Sequence, residues 1–222
     1  MLLNVSHRAV LFARPQIRQI YRYASTLQSN SHIYVHKHPT KPRSHVLSLL
    51  ASEPPTVDLA LGETDVLPPE KSPSEFRENQ RFLNILHSVI AQHGCQDPQV
   101  QSQAAAYISS SGASFMQVNR RTSTGSAGAS DQGGHGSGGQ GGWIHVSDNR
   151  HPPDFGRIAD PEDIFGSLEV EGDGSFTDGT GRYQASGTYR IATRDGVLQL
   201  PDFLRQRLVE RLKLEEAALK NK

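Results

Sequence analysis

Residues 143–166 read WIHVSDNRHPPDFGRIADPEDIFG, and the structure of that stretch governs the arrangement of the C-terminal half. It holds the only tryptophan, two histidines, several carboxylates and a double proline. Trp143 to Ser147 alternate as a short strand. Pro152-Pro153 forbids a helix across the middle. Asp160-Pro161-Glu162-Asp163 carries the signature of a helix start: a cap, a proline, then acids at the positive end of the dipole. Ile164 and Phe165 then anchor this turn in the core.

Two sharper chemistries are weighed against that structural reading. His145, Asp148, His151 and Asp154 are spaced by three and offer ligand types suited to zinc or iron. The prolines deny them a common helical face, and HExxH is absent, so solvated loop histidines are the preferred reading. Asp160, Glu162 and Asp163 could pair as acid and base, but the capping role explains the same residues. Ser167 and Ser186 lack the GxSxG elbow of a hydrolase nucleophile.

Downstream, GSLEVEG (166–172) alternates with Leu168 and Val170 on one face and Glu169 and Glu171 on the other. GDGSFTDGTG (172–181) reads as a hairpin turn, because the closing glutamate and spacing of a calcium loop are missing. GRYQASGTYRIAT (181–193) reads as a third strand, with Tyr183, Ala185, Gly187, Tyr189 and Ile191 either on one face or bent around Gly187. Arg194-Asp195-Gly196 marks a tight turn from which VLQL pairs back. LPDFLRQRLVERLKLEEAALKNK closes the chain as a helix, with Phe203, Leu204, Leu208, Leu212 and Leu219 along one side. Residues 143–222 thus form a small α+β module of three to four short antiparallel strands and a terminal helix.

Upstream, residues 119–142 contain nothing apolar larger than alanine and read as a glycine- and serine-rich linker. A phosphate loop is excluded there, since no strand precedes it and no GK[ST] follows. Residues 72–118 read as a helical hairpin. Ser72 caps, Pro73 takes the first position and Glu75 completes a capping box; Gly94 ends the first helix, and Asp97-Pro98 starts the second. Six prolines at 39, 42, 54, 55, 68 and 69 make 24–71 an irregular, Pro-rich tail.

The first acid is Glu53, while Arg8, Arg14, Arg18, Arg22, Lys37, Lys41 and Arg43 precede it. Arginines interleaved with apolar residues over 1–23 are the pattern of a mitochondrial transit peptide, which places the chain in the matrix. Its removal takes four of 23 basic residues and leaves 19 against 23 acids, a net charge of −4. That balance argues against wholesale phosphate neutralisation and leaves RNA contact local. The single cysteine, Cys95, excludes an intramolecular disulfide and a cysteine zinc cluster. No apolar run reaches the length of a membrane-spanning helix.

What remains is recognition. Trp143, Phe155, Phe165, Tyr183 and Tyr189 are interleaved with Arg150, Arg157, Arg190 and Arg194, with Arg205 and Arg211 on the last helix. Aromatics and arginines carry binding energy at interfaces and stack on RNA. The stretches WIHVSDNRHPPDFGRIADPEDIFGSLEVEGDGSF, GRYQASGTYRIATRDGVLQL and FLRQRLVERL, with HGCQDPQVQSQAAAYISSSGASF before the linker, resemble a family of fungal mitochondrial proteins. That family is identified as accessory proteins of the small mitochondrial ribosomal subunit. The resemblance implies a non-enzymatic, cofactor-free component of the ribosome that supports mitochondrial translation. Its partners would be mitochondrial ribosomal proteins, with rRNA touched through local arginines and no small-molecule substrate. The alternative is a matrix assembly or stability factor for a respiratory complex.

Overall fold

The computed structural model describes residues 25–107, 141–154 and 157–221. The fold class is α+β: three helices with several antiparallel sheets of short strands. The predicted transit peptide 1–23, residues 108–118 of the predicted hairpin, most of the predicted linker 119–142, and Phe155 lie outside the described residues.

The largest departure from the sequence reading is in 24–71, which is not an irregular tail. Strands β1 (Ser25–Thr26), β2 (Tyr34–Lys37), β3 (His45–Ser48), β4 (Gly62–Thr64) and β5 (Arg77–Glu78) form a five-stranded antiparallel meander in sequence order. Prolines exclude helices, but they tolerate short strands when they occupy the connections, and here Pro39, Pro42, Pro54, Pro55, Pro68 and Pro69 all lie between strands. Ile33, Val46, Leu47, Leu59 and Leu61 are completely buried, so this segment supplies a large share of the core.

The predicted helical hairpin also shifts. Helix α1 spans Gln80–His93, not 73–93. Pro69–Lys71 and Pro73–Glu75 are single 3₁₀ turns, and Ser72 makes no side-chain cap bond. The working cap is Asn79. Its Oδ1 accepts from the Arg81 amide, while its Nδ2 donates to the carbonyls of Val57, Asp58 and Ala60. One side chain therefore starts the helix and fixes the preceding loop against it. Helix α2 runs over 98–107 within the described residues. Asp97 caps it as expected, with Oδ1 accepting from the amides of Gln99 and Val100.

Strands β6 (Gly142–Ser147), β7 (Ile164–Val170) and β8 (Gln184–Ala185) form a second antiparallel sheet in that order. β6 and β7 alternate as the sequence requires: Ile144, Val146, Leu168 and Val170 are buried, while Trp143, His145 and Glu169 lie on the other face. Gly166 permits the close approach of β8, since a side chain there would overlap the Gln184 carbonyl and the Tyr183 ring. Residues 160–163 make one 3₁₀ turn, and Ile164 leads straight into β7 rather than into a helix. Thr193 and Ala192 of β9 (Ala192–Thr193) pair with Gly196 and Val197 of β10 (Gly196–Val197), as the turn signal predicts. The long third strand does not form. Only Gln184–Ala185 and Ala192–Thr193 are strand, with further backbone bonds at Gly181, Ser186 and Ile191, and the segment changes sides at Gly187: Ala185 and Gly187 are exposed while Tyr189 and Ile191 are buried.

Helix α3 (Asp202–Lys220) buries Leu204, Leu208, Leu212 and Glu216, one residue per turn. It packs along α1, whose Phe82, Leu86 and Ile90 are fully buried. Gly94, at the end of α1, lies against Leu168 of β7. The hydrophobic side chains from Leu27 to Leu212 form one continuous cluster, so the sheets and helices of the described residues share a core.

Candidate interaction site

The middle of the opening stretch folds inward around Arg150. Its side chain is 1 % exposed. Nε donates to Asp163 Oδ1, Nη1 to the Ile191 carbonyl at 3.0 Å, and Nη2 to the Glu162 carbonyl at 2.8 Å. Asp148 closes the other side: Oδ1 accepts from the amides of Arg150 and Gln199, and Oδ2 accepts from the Tyr189 hydroxyl at 3.0 Å. Burial pushes the Asp148 carboxyl up, with Arg150 and these hydrogen bonds opposing the rise. Burial also works against the charge of Arg150, but its carboxylate neighbours outweigh it and raise the guanidinium. This clasp ties the 148–150 turn to the 161–163 turn and to the 189–199 segment. A buried charge left unpaired would be costly, so these groups serve the fold.

The predicted interaction residues accordingly divide. Arg150, Phe165 and Tyr189 are interior and unavailable to a partner. The sequence shows aromatic and arginine residues but not which side of the backbone each occupies. Tyr183 is half-buried, donating to the Phe165 carbonyl at 2.9 Å, and burial raises its hydroxyl. Trp143 is exposed (42 %) on the outer face of β6. Arg157, Arg190 and Arg194 are exposed. Arg211 pairs with Glu215 and Arg205 with Asp202 along α3.

Two clefts open on either side of the 161–162 turn. One, of about 660 Å³, lies between the start of α1 and residues 186–190; Glu78, His87, Glu162, Ser186, Thr188 and Arg190 are on its walls. The other, of about 630 Å³, shares Pro161, Glu162 and Arg190 and extends to Arg194 and Asp195. Both volumes fall within the range of ligand-binding clefts. In the first, Glu78 Oε1 accepts from the Ile191 amide at 2.9 Å, and His87 Nδ1 lies 2.9 Å from the Tyr183 hydroxyl. Burial lowers the His87 pKa, so the ring is neutral at neutral pH. Glu78 and His87 were not candidates from sequence. They lie about a hundred positions from their partners in 183–191, and neither sits in a recognisable motif.

The four-residue metal reading fails, because the members go separate ways. His145 Nδ1 lies 2.8 Å from Ser167 Oγ across the β6–β7 pair, and Asp148 belongs to the clasp. Burial lowers His145 as well, and among the described residues no carboxylate hydrogen-bonds it to complete a nucleophile's triad. A different trio does converge: one ligand atom each of His151, Asp160 and Asp163 lie within 4.8 Å of one another. The Arg150 guanidinium already neutralises Asp163, which works against a divalent cation there. Among the described residues no helix is long and apolar enough to cross a membrane.

Compared with protein-family models, curated proteins and solved structures, the chain has no match in any of the three.

Proposed function

We propose that this chain is a non-enzymatic accessory component of the small mitochondrial ribosomal subunit, acting in the matrix by docking on ribosomal proteins and supporting mitochondrial translation. The observation that carries the docking part is the division of polar groups. Asp148, Arg150 and Asp163, the buried charged side chains of 148–163, are spent on the clasp. The exposed set left over, Trp143, Arg157, Arg190 and Arg194, is of the residue types that carry interface energy. The acid-free, arginine-rich N-terminus supports the matrix, and the resemblance over 143–214 supports the ribosome. The net charge of −4 after removal of residues 1–23 favours protein partners over bulk RNA contact.

The test is sedimentation of a mitochondrial lysate holding the tagged full chain, with and without magnesium chelation. A ribosomal component migrates with the small subunit and stays with it when chelation separates the subunits. Trp143→Ala then moves protein toward the top of the gradient, while His145→Ala does not. Migration of the unaltered chain in a peak unmoved by chelation would refute the ribosomal reading and leave the respiratory-complex assembly factor in its place.

A further inference from the structure

The hydrogen bonds around the cleft between α1 and residues 186–190 fix which partner chemistry it accepts. Tyr183 has one hydroxyl proton and gives it to the Phe165 carbonyl, so its oxygen can only accept from His87. The His87 proton is therefore on Nδ1, and Nε2 keeps its lone pair. His87 is on the cleft wall, where its Nε2 is left as an acceptor. Thr188 gives its hydroxyl proton to the Pro161 carbonyl at 2.8 Å, so Ser186, 2.8 Å away, donates to Thr188. Both hydroxyl protons are thereby committed to bonds within the chain. Glu78 spends only Oε1, on the Ile191 amide, and neither Glu78 nor Glu162 has an ion-pair partner among the described residues. Beyond the Gln80 amide, which donates to Asn84 Oδ1 at 3.3 Å, and Arg190, the side-chain groups on the wall are acceptors and two carboxylates without an ion-pair partner among the described residues. Arg190, at the border with the neighbouring cleft, is the one cation on the wall.

We propose that this cleft is a receptor for an arginine side chain presented by a protein partner. A guanidinium brings five donors in a planar fork and a permanent charge, which matches a wall of acceptors and carboxylates. About 660 Å³ is ample for it. Arg190 then marks the rim, where it repels a cation and sets the direction of entry. The proposal deepens the docking reading above and rests on it for the identity of the partner, though not for the chemistry of the cleft.

The test is an amide-shift titration of the ¹⁵N-labelled full chain with N-acetyl-arginine methylamide, against its uncharged isostere N-acetyl-citrulline methylamide. Saturable shifts at Glu78, His87, Ser186 and Thr188 with the arginine compound, and none with citrulline, are expected. Glu162→Gln, at an exposed side chain with no bond to break, weakens binding at least threefold. Adding Glu78→Gln, which keeps an oxygen for the Ile191 amide, brings the loss to tenfold or more. Equal response to both compounds, shifts elsewhere only, or undiminished binding by the double variant would overturn the proposal. If the arginine compound binds as described but the chain does not sediment with the small subunit, the ribosomal reading falls and the cleft stands.

Discussion

Arg150 and His87 show how much a single residue's role depends on partners distant in sequence. Arg150→Met leaves Asp148 and Asp163 charged in the interior without their counter-ion, a loss of about 3–5 kcal/mol. Urea denaturation reads this directly, and the matched control Trp143→Ala, at an exposed side chain, stays within roughly 1 kcal/mol. Equal losses in the two would mean that the clasp contributes nothing to stability. For His87 the sign follows from its lowered pKa. The unfolded chain takes up the proton near the ordinary value of 6.5 while the folded chain resists it, so stability is full above pH 6.5 and falls as pH drops below that. His145 shifts the same way and contributes its own part. His87→Asn retains a donor for Tyr183 but not the titration, so its stability declines less between pH 7 and 5.5. Parallel pH curves for variant and parent would reject that assignment. The sequence showed that residues 143–166 were dense in chemistry-bearing side chains. It gave no sign that Arg150 and Tyr189 point inward, because that depends on turns contributed by residues 161–163 and 189–199.

Elements were legible where one signal acted alone. Regular alternation gave β6 and β7, the Asp195-Gly196 turn gave the β9–β10 pair, and the leucine stripe gave α3 to within two residues of its start. The Asp97-Pro98 start of α2 was equally plain. Where two signals competed, the local pattern misled. Ser72-Pro73 with Glu75 imitates a capping box, but Pro73–Glu75 make a single 3₁₀ turn, Phe76 is then buried and Arg77–Glu78 pair as β5, so the helix waits for Asn79. The two caps can be told apart by substitution. Asn79→Ala removes the cap and three bonds to the 57–60 loop, at a cost of about 2 kcal/mol. Ser72→Ala, at a residue without a cap bond, costs less than about 0.5 kcal/mol. Thermal unfolding of both variants decides the matter, and a reversal of their order would restore the earlier helix start. The 24–71 strands were hidden for a related reason. Two to four residues are too short for periodicity to register, and their partners are neighbouring strands rather than a helix.

At the scale of the whole molecule, the sequence divides at a glycine-rich linker, whereas the described residues converge on one core. Leu204, Leu208 and Leu212 of α3 are completely buried, and α3 packs along α1, which precedes the linker. Glu216 repeats the connection at the far end of the helix. Burial opposes its charge, but hydrogen bonds from Ser52, Lys220 and Thr56 prevail and hold its pKa below 4.5. A fragment of residues 141–222 would therefore expose the leucine stripe of α3 and the Gly94-facing side of Leu168, losing roughly 2 kcal/mol for each large apolar side chain uncovered. It would also leave Glu216 without Ser52 and Thr56. Three or four such exposures equal the stability of an ordinary domain, about 5–15 kcal/mol. The fragment alone is expected to give the collapsed amide dispersion of an unfolded chain. Mixed with residues 25–107, it should recover dispersed resonances at equimolar ratio, because the two pieces together rebuild the core. Dispersed resonances from the isolated fragment would show instead that the C-terminal half folds by itself, and that the shared core adds stability without being required for the fold.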